Sequence, residues 1–170
     1  MGEGWGDCYS LAFRWRASYD NSTVFGMGVY AAGEGIRLYD YAQNMTINPQ
    51  TYSYINGPQY SGVHAKGCYW CTVLYDAYLM LVDKYGFDAD LYTGNGGNNR
   101  WLHIVTDGMK LQPCRPTMID ARDAIIESNE NNYGGADVCD LWRVFARRGL
   151  GVSATSGMRV SDGFDIPTQC

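Results

Sequence analysis

The sequence predicts a mainly α protein with about five helices and one long irregular segment. In five stretches the apolar residues recur at three- and four-residue spacing, which is the pattern of an amphipathic helix. Connections rich in glycine and proline separate these stretches, and no internal repeat or low-complexity tract interrupts them. At 170 residues the chain is long enough for one domain with a hydrophobic core.

The ends of three predicted helices carry recognisable signals. Gly86 stands where a C-terminal cap of the second helix belongs, and Gly149 ends the last helix. Thr117 with Asp120 has the form of a capping box at the start of the fourth helix. The five predicted helices cover residues 4–17, 64–85, 98–111, 117–131 and 137–148.

Between the first two helices, residues 20–59 lose all helical periodicity. Gly, Asn, Tyr, Thr and Pro dominate this segment, and such a composition favours turns. A loop of this length is usually functional or ligand-bound. Residues 156–170 also lack a clear pattern. We therefore expect a helical lobe over residues 1–155, followed by a tail of uncertain order.

Charge and hydropathy exclude two classes of partner. The net charge is −5 with a sequence pI near 4.8, and the longest basic cluster is the pair Arg147–Arg148. The electrostatic footprint of a nucleic-acid-binding protein is therefore missing. The apolar runs also fall short of the ~20 residues that a membrane span needs. We expect a soluble chain with neither nucleic acid nor a membrane as a partner.

The residue usage is that of an extracellular protein. Six cysteines and fourteen tyrosines accompany only three lysines. Two glycosylation sequons, Asn21-Ser22-Thr23 and Asn44-Met45-Thr46, agree with secretion. No signal peptide is visible, so we expect that it was removed or that it lies on a longer precursor.

The cysteines allow two interpretations. His64, Cys68 and Cys71 are spaced i, i+4 and i+7 on one helix face, where they could bind zinc or another transition metal. Disulfides are the favoured alternative, because two helical cysteines three residues apart are poorly placed to bridge each other. Each would then pair with a distant partner, for which Cys8 is a candidate. Two further cysteines, Cys114 and Cys139, flank the fourth helix and could join it to neighbouring elements.

Glu3 and Asp7 are four residues apart and therefore share one face of the first helix. One such carboxylate can bind zinc while the other orients a ligating histidine. The alternative is a solvated acidic first turn that the helix dipole favours. Of the two histidines, His103 lies mid-helix and is expected to be structural. His64 lies where the loop passes into the helix, so its ring would be both held and accessible.

Four stretches carry a resemblance to a known family: "MGEGWGD", "SGVHAKGCYW", "DGMKLQPCRPTMIDARDAI" and "GGADVCDLWRVFARRGLGV". In this order and spacing they resemble the C-terminal half of the fungalysin family of secreted zinc metallopeptidases. The resemblance runs from residue 1 to about residue 154. It implies a thermolysin-like arrangement, with a zinc cleft between a mixed N-terminal lobe and a helical C-terminal lobe. This chain looks like the helical lobe.

The resemblance also implies roles for four residues. Glu3 matches the third zinc ligand of the family, and Asp7 matches the carboxylate that orients a zinc-binding histidine. His64 matches the histidine that hydrogen-bonds the oxyanion of the tetrahedral intermediate. Arg37, which lies 27 residues before His64, resembles the arginine that holds the substrate carbonyl.

In the family, an upstream H-E-x-x-H helix carries two zinc ligands and the general-base glutamate, and this motif is missing from the 170 residues. The resemblance thus implies part of a secreted zinc-dependent endopeptidase that hydrolyses peptide bonds with a zinc-activated water. We expect the chain alone to be inactive, with the N-terminal lobe of the same precursor as its partner. The alternative is a non-catalytic secreted module that binds or self-assembles through the tyrosine-rich residues 20–60.

Overall fold

A computed structural model describes all residues from 1 to 170. It contains helices and irregular segments, and its only β-structure is three isolated bridges. The predicted mainly α class is confirmed. The α-helices are α1 (Gly2–Arg14), α2 (Val29–Ala32), α3 (Val63–Tyr85), α4 (Gly97–Leu111), α5 (Met118–Tyr133) and α6 (Val138–Arg147), and two 3-10 helices span Tyr52–Asn56 and Pro58–Tyr60.

The five predicted helices correspond to α1, α3, α4, α5 and α6, with ends that differ by at most three residues. The largest difference is at α1, which ends at Arg14 because Trp15 adopts an extended backbone. The additional helix, α2, is a single turn inside the segment predicted to be irregular. It is bounded by Gly28 and Gly33, both with left-handed backbone (φ 75° and 80°). A helix of a single turn is too short to show a repeating pattern of apolar residues, so the sequence did not predict it.

Helix α3 is the centre of the fold and is buried on almost every side from Gly67 to Leu81. Helices α1, α4 and α6 pack against it, and α5 packs against α4 and α6. The core includes the indole of Trp101, whose Nε1 donates to the Leu74 carbonyl at 2.9 Å. A helix can be apolar all round only when other elements surround it, and this arrangement accounts for the weak amphipathicity of α3. No helix combines the length and apolar character needed to cross a membrane.

Helices α1 and α3 cross with their backbones in direct contact at two glycines. A Cβ atom on Gly4 would lie 2.5 Å from the Gly67 carbonyl oxygen, and one on Gly67 would lie 2.7 Å from the Gly4 nitrogen. Beside this crossing, the rings of Trp5 and Trp70 meet edge to face with centroids 5.1 Å apart. The crossing brings the first turns of α1 and α3 together.

At the opposite end of α3, the buried carboxylate of Asp137 joins four helices. It accepts hydrogen bonds from Lys84 (2.9 Å) and Tyr85 (2.6 Å) of α3, from Arg100 of α4 (2.9 Å) and from Asn129 of α5 (2.9 Å). Burial opposes ionisation, but the hydrogen bonds from Tyr85, Lys84, Asn129 and Arg100 together lower the pKa of Asp137. The charged form of Asp137 therefore stabilises the packing of α6 on its neighbours.

The residues that follow α6 are fastened to the rest of the chain. A disulfide joins Cys139 of α6 to Cys170. Arg122 of α5 donates to the carbonyl of Leu150 at 3.0 Å, and the carboxylate of Asp162 accepts from the backbone N–H of Ser53 at 2.8 Å. The last residues thus contact α5, α6 and the irregular segment.

The other four cysteines are free thiols, so the bridges expected at Cys8, Cys68, Cys71 and Cys114 are wrong. Cys114 is exposed and the other three are buried. Two of the buried thiols have polar partners in the core instead. Cys8 Sγ donates to the Cys71 carbonyl at 3.1 Å, and Cys68 Sγ accepts from Gln50 Nε2 at 3.4 Å.

The glycine contact predicts opposite effects for two alanine substitutions. Gly67→Ala should destabilise the fold by about 1–3 kcal/mol, because the new methyl group meets the backbone of α1. Gly6→Ala, at an exposed position in α1 with open space around it, should stabilise by about 0.5–1 kcal/mol because alanine favours the helix. Urea unfolding measures both free energies. Equal effects of the two substitutions would contradict the close approach.

The Asp137 network predicts a dependence of stability on pH. Because the pKa of Asp137 is lowered in the folded state, its contribution is present above the unfolded value of about 4 and is lost as the pH falls through the folded pKa. Asp137→Asn should cost about 3–5 kcal/mol at pH 7 and should lose less stability than the wild type below pH 4. Asp140→Asn is the control, since Asp140 is partly exposed and pairs with Lys84 and Arg143 at the surface. It should cost less than about 1 kcal/mol, and unfolding curves from pH 2 to 7 compare the variants.

Candidate functional site

The glycine crossing places Glu3 beside His64. His64 Nδ1 lies 2.9 Å from Glu3 Oε2, and the two side chains are 61% and 42% exposed. Glu3 precedes Gly4 directly, and His64 lies one helical turn before Gly67, so the contact of the two glycines sets the distance between the two side chains. Both side chains are accessible to a ligand while their backbones are fixed.

Asp7, one turn further along α1, is nearly buried and holds the guanidinium of Arg37. Arg37 Nε donates to Asp7 Oδ2 at 2.6 Å, and Arg37 Nη2 donates to Asp7 Oδ1 at 2.8 Å. This two-point geometry is the strongest form of an arginine–carboxylate contact. The hydrogen bond with Asp7 raises the pKa of Arg37, so the guanidinium is always charged.

Tyr41 completes the surroundings of Asp7. Its hydroxyl donates to Asp7 Oδ2 at 2.5 Å, and its ring is fully buried. Burial raises the pKa of Tyr41, which therefore stays a hydrogen-bond donor. A carboxylate offers about four lone-pair positions. Arg37 and Tyr41 use three of them, which leaves one acceptor position on Oδ1.

Sequence reasoning missed Tyr41. It is one of fourteen tyrosines, and it lies in the segment without periodicity. No spacing rule connects it to Asp7, because the two residues come together only through the path of the irregular segment. Its burial next to the buried Ala42 is visible only in the fold.

Arg37 and His64 face a common cavity of about 320 Å³. Two apolar side chains beside them are largely exposed, Ile36 at 55% and Leu38 at 44%. A charged group and an imidazole next to exposed apolar side chains form a surface that suits a peptide, which has both a polar backbone and apolar side chains. The cavity is lined by Gly35, Ile36, Arg37, Leu38, His64 and Ala65.

The structure therefore forms two pairs from the four predicted site residues. Glu3 contacts His64, Asp7 contacts Arg37, and the shared cavity links Arg37 to His64. The predicted structural histidine, His103, lies on α4, where its Nδ1 is 3.0 Å from the hydroxyl of Tyr133 on α5.

As a metal site this donor set is partial. No group of three or more His, Cys, Asp and Glu side chains could hold a metal ion. Glu3 offers one half-exposed carboxylate, which is a suitable oxygen ligand for zinc. The alternative site at His64, Cys68 and Cys71 is wrong, because the histidine turns to Glu3 at the surface whereas both thiols are fully buried.

Comparison with known proteins shows the family of this chain. The sequence model of the fungalysin metallopeptidase family (M36) matches residues 1–154. The chain belongs to the fungalysin family. The predicted resemblance is thereby confirmed, and the match covers every residue of the site described above.

Extracellular metalloproteinases of fungi are similar to this fungalysin chain over its whole length. Extracellular metalloproteinase 2 of Arthroderma gypseum is 40% identical over 178 aligned residues, which cover 100% of this chain and 28% of the relative. Extracellular metalloproteinase MEP of Fusarium vanettenii is 42% identical over 99% of this chain and 28% of its own length. An extracellular metalloproteinase of Pyrenophora tritici-repentis is 39% identical over 98% of this chain and 27% of its own length.

Two facts follow from these relatives. Their names confirm the predicted extracellular location. The chain spans little more than a quarter of the length of the relatives that it matches. The relatives therefore contain a large additional part that has no counterpart among these 170 residues.

The contact between Tyr41 and Asp7 is tested by removing one hydroxyl. Tyr41→Phe should destabilise the chain by about 2 kcal/mol, because it deletes a buried hydrogen bond to a charged group while the ring stays in place. Tyr39→Phe is the matched control, since Tyr39 is partly exposed and its hydroxyl makes no hydrogen bond within the chain. It should change the free energy of unfolding by less than about 0.5 kcal/mol. Equal losses in the two variants would contradict the assigned contact.

Proposed function

We propose that this chain is the helical lobe of a secreted zinc endopeptidase of the fungalysin family. The observation that carries the proposal is the pairing of the half-exposed Glu3 carboxylate with His64, at the edge of the cavity that Arg37 also lines. In this proposal each of the three side chains has one task in peptide hydrolysis, and Asp7 holds Arg37 in place.

Glu3 is the zinc ligand that this lobe supplies. Its carboxylate is accessible, and its backbone is fixed by the adjacent Gly4, so little reorganisation is needed when a cation binds. When bound, zinc activates a water molecule as the nucleophile and polarises the peptide carbonyl. A catalytic zinc site needs three protein ligands. The other two therefore come from outside this chain, and we assign them to the H-E-x-x-H helix of the N-terminal lobe.

His64 stabilises the oxyanion of the tetrahedral intermediate. Its Nδ1 faces Glu3, and its Nε2 has no hydrogen-bond partner within the chain and is free to donate to a substrate oxygen. One such donor contributes about 3 kcal/mol to transition-state stabilisation.

Arg37 holds the substrate backbone. A guanidinium has five N–H groups, of which the contact with Asp7 uses two. The remaining three are available to a peptide carbonyl in the cavity. Asp7 keeps the guanidinium of Arg37 in one orientation. The free acceptor position on Asp7 Oδ1 can receive the N–H of a zinc-binding histidine from the other lobe.

One carboxylate alone does not hold zinc at a catalytic site, and the chain has no group of three residues that could. We therefore propose that the isolated chain is inactive and that it functions with an N-terminal lobe of the same precursor. The length of the relatives, of which this chain matches 28%, supports this proposal.

Substitutions in the full-length protein separate the two main roles. Glu3→Gln should abolish bound zinc and reduce kcat/KM by more than about 100-fold, since even indirect partners of a zinc ligand change metal affinity by ~10–100-fold. His64→Gln should leave the zinc content unchanged and reduce kcat by about 100–1000-fold. Metal analysis of the purified protein and hydrolysis of a fluorogenic peptide measure both effects.

Matched controls exist for both substitutions. Glu34→Gln changes an exposed glutamate without a polar contact, and His103→Gln changes the histidine on α4. Both should retain zinc and activity. The proposal fails if Glu3→Gln retains both, or if the gene encodes no H-E-x-x-H motif before residue 1. In the second case, self-association of the chain in sedimentation would favour the alternative of a non-catalytic module.

A further inference from the structure

Two asparagines of the chain differ from most of the others in their side-chain contacts. Six of the ten asparagines donate a hydrogen bond from the amide nitrogen Nδ2 to another group of the protein. Asn21 and Asn44 are exposed, and their Nδ2 atoms donate to nothing. These two are the asparagines of the sequons. The six donors are Asn48, Asn56, Asn98, Asn99, Asn129 and Asn132.

Asn44 presents its amide from a fixed backbone. Its Oδ1 accepts the backbone N–H of Thr46 at 2.9 Å, which leaves Nδ2 directed to no protein group. The carbonyl of Gln43, the preceding residue, accepts from Arg147 Nη2 at 2.7 Å. The hydroxyl of Thr46 is exposed and makes no hydrogen bond of its own. The sequon is therefore accessible while the chain around it is anchored.

Asn21 lies in a turn that its neighbours hold. Asp20 Oδ1 accepts the backbone N–H of Ser22 at 2.9 Å, and the Thr23 carbonyl accepts the hydroxyl of Tyr75 at 2.9 Å. The side chain of Asn21 takes no part in these bonds. It lines an open cleft of about 270 Å³ together with Gln43, the residue that precedes the second sequon.

We propose that Nδ2 of Asn21 and Nδ2 of Asn44 each carry an N-linked oligosaccharide. The co-reactant is an oligosaccharide bound through a diphosphate to a lipid. Nδ2 attacks the anomeric carbon of the first sugar, and the bond from that carbon to the diphosphate oxygen breaks with its electron pair on the oxygen. Nδ2 gives one proton to the solvent, and the lipid diphosphate leaves. No oxidant or reductant is needed. Because neither Nδ2 donates within the protein, the modification removes no hydrogen bond from the fold.

The modified face lies away from the proposed catalytic site. The cleft that Asn21 and Gln43 line is also lined by Asp76, Met80 and Asp83 from the C-terminal half of α3. His64 lies in the first turn of the same helix, 12 residues before Asp76 and 19 before Asp83, which is roughly 18 Å and 28 Å at 1.5 Å per residue. A sugar chain at Asn21 would therefore start away from the cavity at His64. The inference does not depend on the proposed peptidase function.

Secretion of the full-length protein from a eukaryotic host tests the inference by mass. Asn21→Gln and Asn44→Gln should each remove one discrete step of mass, and the double variant should lose both steps of this lobe. Treatment of the unsubstituted protein with peptide N-glycosidase should convert both asparagines to aspartate in the peptide map. Because the readout is a mass, it is independent of zinc content and peptidase activity.

Three further variants separate glycan attachment from a change in folding or secretion. Thr46→Val keeps Asn44 and the size of the neighbouring side chain but removes the hydroxyl that the sequon requires, so it should lose the same step as Asn44→Gln. Thr46→Ser should retain that step. Asn95→Gln, at an exposed asparagine outside any sequon, should change nothing. Unmodified Asn21 or Asn44 in the peptide map of the secreted protein would overturn the assignment at that position.

Discussion

The buried ion pair between Asp76 and Arg148 is the interaction on which the irregular part of the structure depends. The two side chains are 1% and 0% exposed. Arg148 donates to the Asp76 carboxylate at 2.7 Å and to the carbonyls of Asn48 at 2.6 Å and Ala42 at 3.0 Å. Burial raises the pKa of Asp76, and Arg148 opposes this shift. A buried pair is tolerated only when its remaining polar groups are satisfied, and here the backbone of the irregular segment satisfies them.

This arrangement explains how residues 41–50 are ordered without a regular element. Backbone groups that are buried outside helices and sheets need other partners, and one guanidinium supplies several. Asn48 and Gln50 extend the network to Thr72 on α3, at 3.0 and 3.2 Å. Tyr41 directly precedes Ala42, whose carbonyl is bound by Arg148. The same network therefore positions the hydroxyl of Tyr41 next to Asp7. The position of Tyr41 beside Asp7 is thus a consequence of a charge on α3 and a charge at the end of α6.

The sequence predicts those parts of the structure that local rules control. Apolar periodicity located α1, α3, α4, α5 and α6, and the capping box of Thr117 and Asp120 forms as expected, with the Thr117 N–H donating to Asp120 at 2.8 Å. Family resemblance selected the site residues, and the glutamate–histidine and aspartate–arginine contacts come from tertiary structure alone. The glycine crossing, Tyr41 and the partner of Cys139 were not predictable, since each depends on residues far apart in sequence.

The two pairs of the candidate site, Glu3 with His64 and Asp7 with Arg37, are held by different contacts, but both include a residue of α1. Glu3 and Asp7 lie one turn apart on α1, so any rotation of that helix would move both carboxylates together. The glycine contact with Gly67 fixes α1 near Glu3, and the contacts of Arg37 and Tyr41 fix it at Asp7. All of these contacts lie within the chain. The chain therefore holds the four candidate residues in a defined geometry by itself, and such a geometry would reduce the reorganisation needed in the proposed reaction.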